Sequence, residues 1–68
     1  MLLEVGEFVE EIATGKIHWI EKVDRAFVTI GWMTYENKKW KKDFANLTKR
    51  DFYEQYQDIK KGVLRSEK

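Results

Sequence analysis

The densest chemical feature of the sequence is Lys38-Lys39-Trp40-Lys41-Lys42, four ammonium groups around one indole. Ammonium groups neutralise phosphates and an indole stacks on a base or wedges between base steps, so the combination suits nucleic acid. Lys49 and Arg50 add cations in the first turn of an expected helix. There they oppose the helix dipole and are better tolerated beside a bound anion. Lys16, Lys22 and Arg25 complete the candidate surface. The same segment also has a purely structural reading. On a strand, Trp40 and Phe44 would face the core with Lys42 at the rim, while Lys39 and Lys41 would form a solvated face that discourages edge pairing. Both readings stay open at this level.

Rings supply the second feature. The chain has three Trp, three Tyr and four Phe, 15% of its residues. A core of this size hides about five or six rings, so several of the ten are expected at the surface. By alternation Phe27 and Met33 lie opposite the row Val28, Ile30 and Trp32. With Thr29 and Gly31 between them they can form a flat sheet face. Phe27, Met33, Tyr35 and Trp19 are therefore the candidate residues for docking a protein partner or a second copy of the chain. The alternative is that the helix packs on this face.

Other reactive side chains lack companions. His18 has no second His or Cys to share a metal, and beside Trp19 it is expected at the surface or rim. Glu7, Glu10 and Glu11 are not framed by a calcium loop, and Ser66 stands alone in the tail. No catalytic residue, metal site or cofactor is expected, and the chain is read as a binding module rather than an enzyme.

Sixty-eight residues and 8.2 kDa allow one module with one small core, and there is no cysteine to add disulfides. The formal net charge of +1 conceals a polarised chain. Residues 1–15 sum to −4, residues 16–42 to +4 and residues 43–68 to +1. No apolar run approaches the ~20 residues of a membrane helix, and the start reaches Glu4 without a basic leader. A cytoplasmic protein without membrane contact is expected.

The elements that must position these groups follow from punctuation and period. The pairs Thr14-Gly15, Asp24-Arg25 and Glu36-Asn37 separate segments rich in β-branched and aromatic residues, predicting strands at about 4–12, 16–23, 26–34 and 39–44. Within the second, Ile17, Trp19 and Val23 are expected on one face, with His18, Ile20 and Lys22 on the other. From Thr48 the apolar spacing changes. Phe52, Tyr56, Ile59 and Val63 form one helical stripe, Thr48 and Asp51 give a shortened capping box, and Leu47 with Phe52 forms a staple. Lys60, Lys61 and Gly62 suit the helix end. A helix over 48–61 and a tail over 63–68 are predicted.

The expected fold is α+β: a small, strongly curved antiparallel sheet or barrel of four to five strands followed by one C-terminal amphipathic helix, all in one domain over 1–68. The segments Val5-Gly6-Glu7-Phe8-Val9, Thr14-Gly15-Lys16-Ile17, Ile20-Glu21-Lys22-Val23-Asp24 and Val28-Thr29-Ile30-Gly31-Trp32 resemble the opening strands of small SH3-like barrels of the KOW and Tudor kind. The layout is also similar to the archaeal seven-kilodalton chromatin proteins. That resemblance implies a barrel and a nucleic-acid-binding sheet. It departs from those proteins in its acidic first strand, with Glu4, Glu7, Glu10 and Glu11.

Overall fold

The computed structural model describes residues 3–59. Five strands form one antiparallel sheet: β1 Phe8–Glu11, β2 Ile17–Val23, β3 Phe27–Glu36, β4 Lys39–Thr48 and β5 Tyr56–Asp58. The spatial order is β4-β3-β2-β1-β5, and one short helix, α1 Lys49–Gln55, links β4 to β5. The fold is thus α+β as expected. The helix, however, lies before the last strand rather than at the end of the chain, and β4 and β5 do not close the sheet into a barrel.

The first strand is shorter than expected because Gly6 turns at φ +95°. The chain there hooks onto β2 through Gly6 N to Ile20 O (2.8 Å) and Ile20 N to Glu7 O (2.9 Å). Gly15, at φ +77°, closes the turn into β2. Between β3 and β4 the turning residues are Asn37 and Lys38, at φ 54° and 64°. Two consecutive left-handed residues are what a two-residue hairpin of right-handed twist requires.

The core forms where the alternation of β3 predicts it. Val28 and Ile30 are buried beside Val9, Ile20, Phe52 and Tyr56, with Leu3, Val23, Trp32, Ala45 and Leu47 packed around them. In β2 a bulge between Ile20 and Lys22 reverses the parity. Val23 therefore joins the core and Lys22 the opposite face, contrary to the simple alternation. Trp40 and Phe44 also depart from the structural reading of their segment. The register Tyr35↔Trp40 and Gly31↔Phe44 puts them on the face away from the core, 66% and 49% exposed. Helix α1 packs on the Val28–Ile30 side, so the face carrying Phe27 and Met33 is not its seat.

Helix α1 starts as its cap residues dictate. Thr48 Oγ1 accepts from Asp51 N at 3.1 Å, and Leu47 packs against the cluster that contains Phe52. It ends at Gln55, not at 61, because Tyr56 turns extended (φ −126°, ψ 154°) and pairs with Glu11 of β1. Sheet pairing here overrides helical period, since an unpaired β1 edge would leave backbone groups without partners. Tyr56 still reaches Phe52, with ring centroids 5.3 Å apart and planes 13° from parallel. The expected helix end at Lys60–Gly62 and the tail lie outside the described residues.

Candidate functional site

The sheet face away from the core carries two rows that cross four strands. Phe8, Trp19, Gly31 and Phe44 are consecutive cross-strand neighbours on β1 to β4. Two residues nearer the β3–β4 turn lie Glu10, Ile17, Met33 and Lys42. Beyond these rows β3 and β4 run on as a free hairpin to the Asn37–Lys38 turn, carrying Tyr35 and Trp40 on the same face. Phe8, Tyr35 and Trp40 are more than half exposed, and Ile17, Met33 and Phe44 nearly half.

Gly31 makes the first row flat. A Cβ there would lie 2.7 Å from Trp19 Cε2, so the indole rests directly on the β3 backbone. Its Nε1 donates to Glu21 at 2.9 Å, and Phe44 meets it edge-on at 6.4 Å. Gly31→Ala should lift the indole, cost about 1–2 kcal/mol and red-shift tryptophan emission. Unchanged emission and stability would show that Trp19 is not held there.

The basic candidates do not form one patch. Lys38, Lys39, Lys41 and Lys42 surround Trp40 at the hairpin tip, with Lys16 at the same end of the sheet. Lys22, Arg25, Lys49 and Arg50 lie at the other end of β3 and β4, where Lys49 N bonds Ala26 O (3.0 Å). A ten-residue strand separates the groups by roughly 30 Å. At the far end Lys22 faces Asp24 (3.9 Å) and Arg50 faces Glu54 (3.6 Å). At the tip Lys41 is paired with Glu36 at 2.7 Å. No acidic group lies within ion-pair distance of Lys38, Lys39 or Lys42 among the described residues.

Trp40 and Tyr35 form a cross-strand pair, centroids 5.1 Å apart and planes tilted by 57°. Phe27, Met33, Tyr35 and Trp19 do share one face, but Phe27 sits at its far end, behind the Thr29–Asn46 hydrogen bond of 3.0 Å. Phe8, Ile17 and Phe44 also belong to this face and were not among the expected residues. Phe8 and Ile17 alternate with the core residues Val9 and His18, and that pattern could have found them.

His18 is a correction. It is buried, not on the rim: Nδ1 and Tyr56 Oη are 2.8 Å apart, and the ring stacks on Trp32 at 5.0 Å. Burial lowers its pKa most strongly, Glu11 opposes this and Lys16 adds to it. Burial, and secondarily Glu11, pushes the Tyr56 hydroxyl up to about 12. A groove of about 310 Å³ opens above this pair, bounded by Glu11, Lys16, Trp32 and Leu47. No group of three or more His, Cys, Asp or Glu suited to a metal is found among the described residues, and no helix among them is long and apolar enough to cross a membrane. No known protein family, curated protein or solved structure matches the chain.

Proposed function

We propose that the chain is a non-catalytic binding module that holds single-stranded nucleic acid at the tip of the β3–β4 hairpin. The observation that carries this reading is the exposed Tyr35–Trp40 ring pair, set among lysines of which only Lys41 has a carboxylate partner among the described residues. Rings stack on bases of any sequence, and free ammonium groups track the phosphates. The turn adds support. Lys38 sits at the hairpin tip in a left-handed position that a glycine would fill with less strain, so its ammonium is presented at the outermost point of the turn. Lys22, Arg25, Lys49 and Arg50 lie too far from the tip to grip the same few nucleotides.

The likeness to SH3-like barrels rests on the sequence segments alone, and the five-stranded sheet is open. Such folds host many unrelated functions, so the reading rests on the tip and not on the fold.

Fluorescence anisotropy with a labelled oligonucleotide, single-stranded and duplex, at low salt tests the proposal. Single strands should bind more tightly, and binding should weaken steeply with salt. Trp40→Ala should weaken it at least about fivefold, the lower end for loss of one stacked base. Lys38→Gly should weaken it too while stabilising the fold by about 1 kcal/mol. No binding at low salt, or wild-type affinity in Trp40→Ala, refutes the reading.

A further inference from the structure

We infer that the face away from the core docks a second copy of this chain, face to face about a two-fold axis that runs parallel to the strands between β2 and β3. The two rows are self-complementary about that axis. In the first row Phe8 comes opposite Phe44 of the other copy, and Trp19 comes opposite Gly31. Because the Trp19 indole lies over Gly31, the two indoles meet near the axis itself. In the second row Ile17 comes opposite Met33, and Glu10 opposite Lys42. The carboxylate on β1 and the ammonium on β4 thus flank the apolar centre on both sides, as an isologous interface requires.

Area supports the same partner. Phe8, Ile17, Met33 and Phe44 are about half exposed and each offer roughly 100 Å² to a partner. The larger indole of Trp19, though only partly exposed, adds somewhat less. Phe8, Ile17, Trp19, Met33 and Phe44 with the stems of Glu10 and Lys42 therefore bury about 600 Å² per copy, at the lower limit for a stable interface. Stacked sheets lie about 10 Å apart, which side chains of this size fill. The face is almost neutral, so like charges do not oppose the approach of an identical surface. The Tyr35–Trp40 tip with Lys38, Lys39 and Lys41 projects beyond the buried rows and stays accessible; Lys42 is shared with the nucleic-acid reading, and sedimentation without nucleic acid distinguishes the two.

Sedimentation equilibrium of the full chain without nucleic acid, from ~1 µM to ~1 mM, reads the association directly. The expected result is reversible doubling of the 8.2 kDa mass with a dissociation constant on the order of micromolar. Met33→Asp should weaken association by about tenfold or more, because it buries an unpaired charge at the centre. Glu10→Lys and Lys42→Glu should each weaken it several-fold, and the double variant should regain it by exchanging the two charges. Thermal melts check that each variant folds. Because Glu10 also accepts from Gln57 Nε2 at 3.3 Å, Lys42→Glu is the cleaner single change. A monomer throughout the range overturns the inference. So does a dimer that Met33→Asp leaves intact, which would place the contact at the free edge of β4. A double variant no tighter than the singles refutes the pairing.

Discussion

Phe52→Ala is expected to leave the chain largely unfolded at 25 °C. The ring is fully buried, stacks on Tyr56, meets Tyr53 at 5.6 Å, and belongs to the cluster of Val9, Ile20, Val28 and Ile30. It is the only buried side chain that α1 contributes. Truncating such a phenylalanine removes about 3–5 kcal/mol, as transfer free energy plus the cavity left behind. A chain of 68 residues has about 3–10 kcal/mol in total. The loss therefore approaches the whole. A urea titration followed by far-ultraviolet circular dichroism reads it. A loss below about 1.5 kcal/mol would mean that α1 does not dock as described.

The second large effect concerns the buried pair that ties β2 to β5. Tyr56→Phe keeps the ring but leaves His18 Nδ1 without its partner, which should cost about 1–3 kcal/mol at neutral pH. The same pair sets the pH dependence. The pKa of His18 is lowered in the fold from 6.5, so below pH 6.5 the unfolded chain binds a proton that the folded chain refuses. Its contribution is whole above 6.5. It is lost progressively as pH falls toward the lowered folded value, below which this group has no further effect. For Tyr56 the direction is the opposite: stability should fall as pH rises from 10 toward about 12, where the unfolded chain ionises first. Denaturant midpoints at pH 8, 6.5 and 5 test the acid limb, with His18→Gln as the control that flattens it. An equal slope in wild type and His18→Gln would assign the acid loss to other groups.

The sequence makes some of this plain and hides the rest for identifiable reasons. Val28, Ile30 and Trp32 alternate with Thr29, Gly31 and Met33, and that period alone places the core side of β3 correctly. Thr48 and Asp51 mark the helix start correctly. The helix end is not legible, because Phe52 and Tyr56 satisfy a helical stripe and also meet once Tyr56 becomes extended. What decides is the unpaired edge of β1, more than forty residues away. The side taken by Trp40 and Phe44 is equally hidden: both parities of β4 carry apolar groups, and only its register with Gly31 and Tyr35 selects one. His18 looks exposed in isolation because its partners are Tyr56 and Trp32, neither of them a local neighbour. Of the candidate site, the lysine–tryptophan tip and the exposed ring face were legible. The division of the basic residues between two ends was not, since it depends on the length of a hairpin rather than on composition.

The pairing of the last strand with the first sets the order of assembly in time. β2, β3 and β4 are joined by short turns, so their ladders can zip from local hairpins with little loss of chain entropy. β5 adds only three residues, and pairing Gln57 with Glu10 must close a loop of 47 residues before any contact rewards it. Yet Tyr56 at that seam completes the ring stack on Phe52 and the bond to His18. The seam is therefore the late step of folding, and the buried histidine is sealed from water only when it shuts.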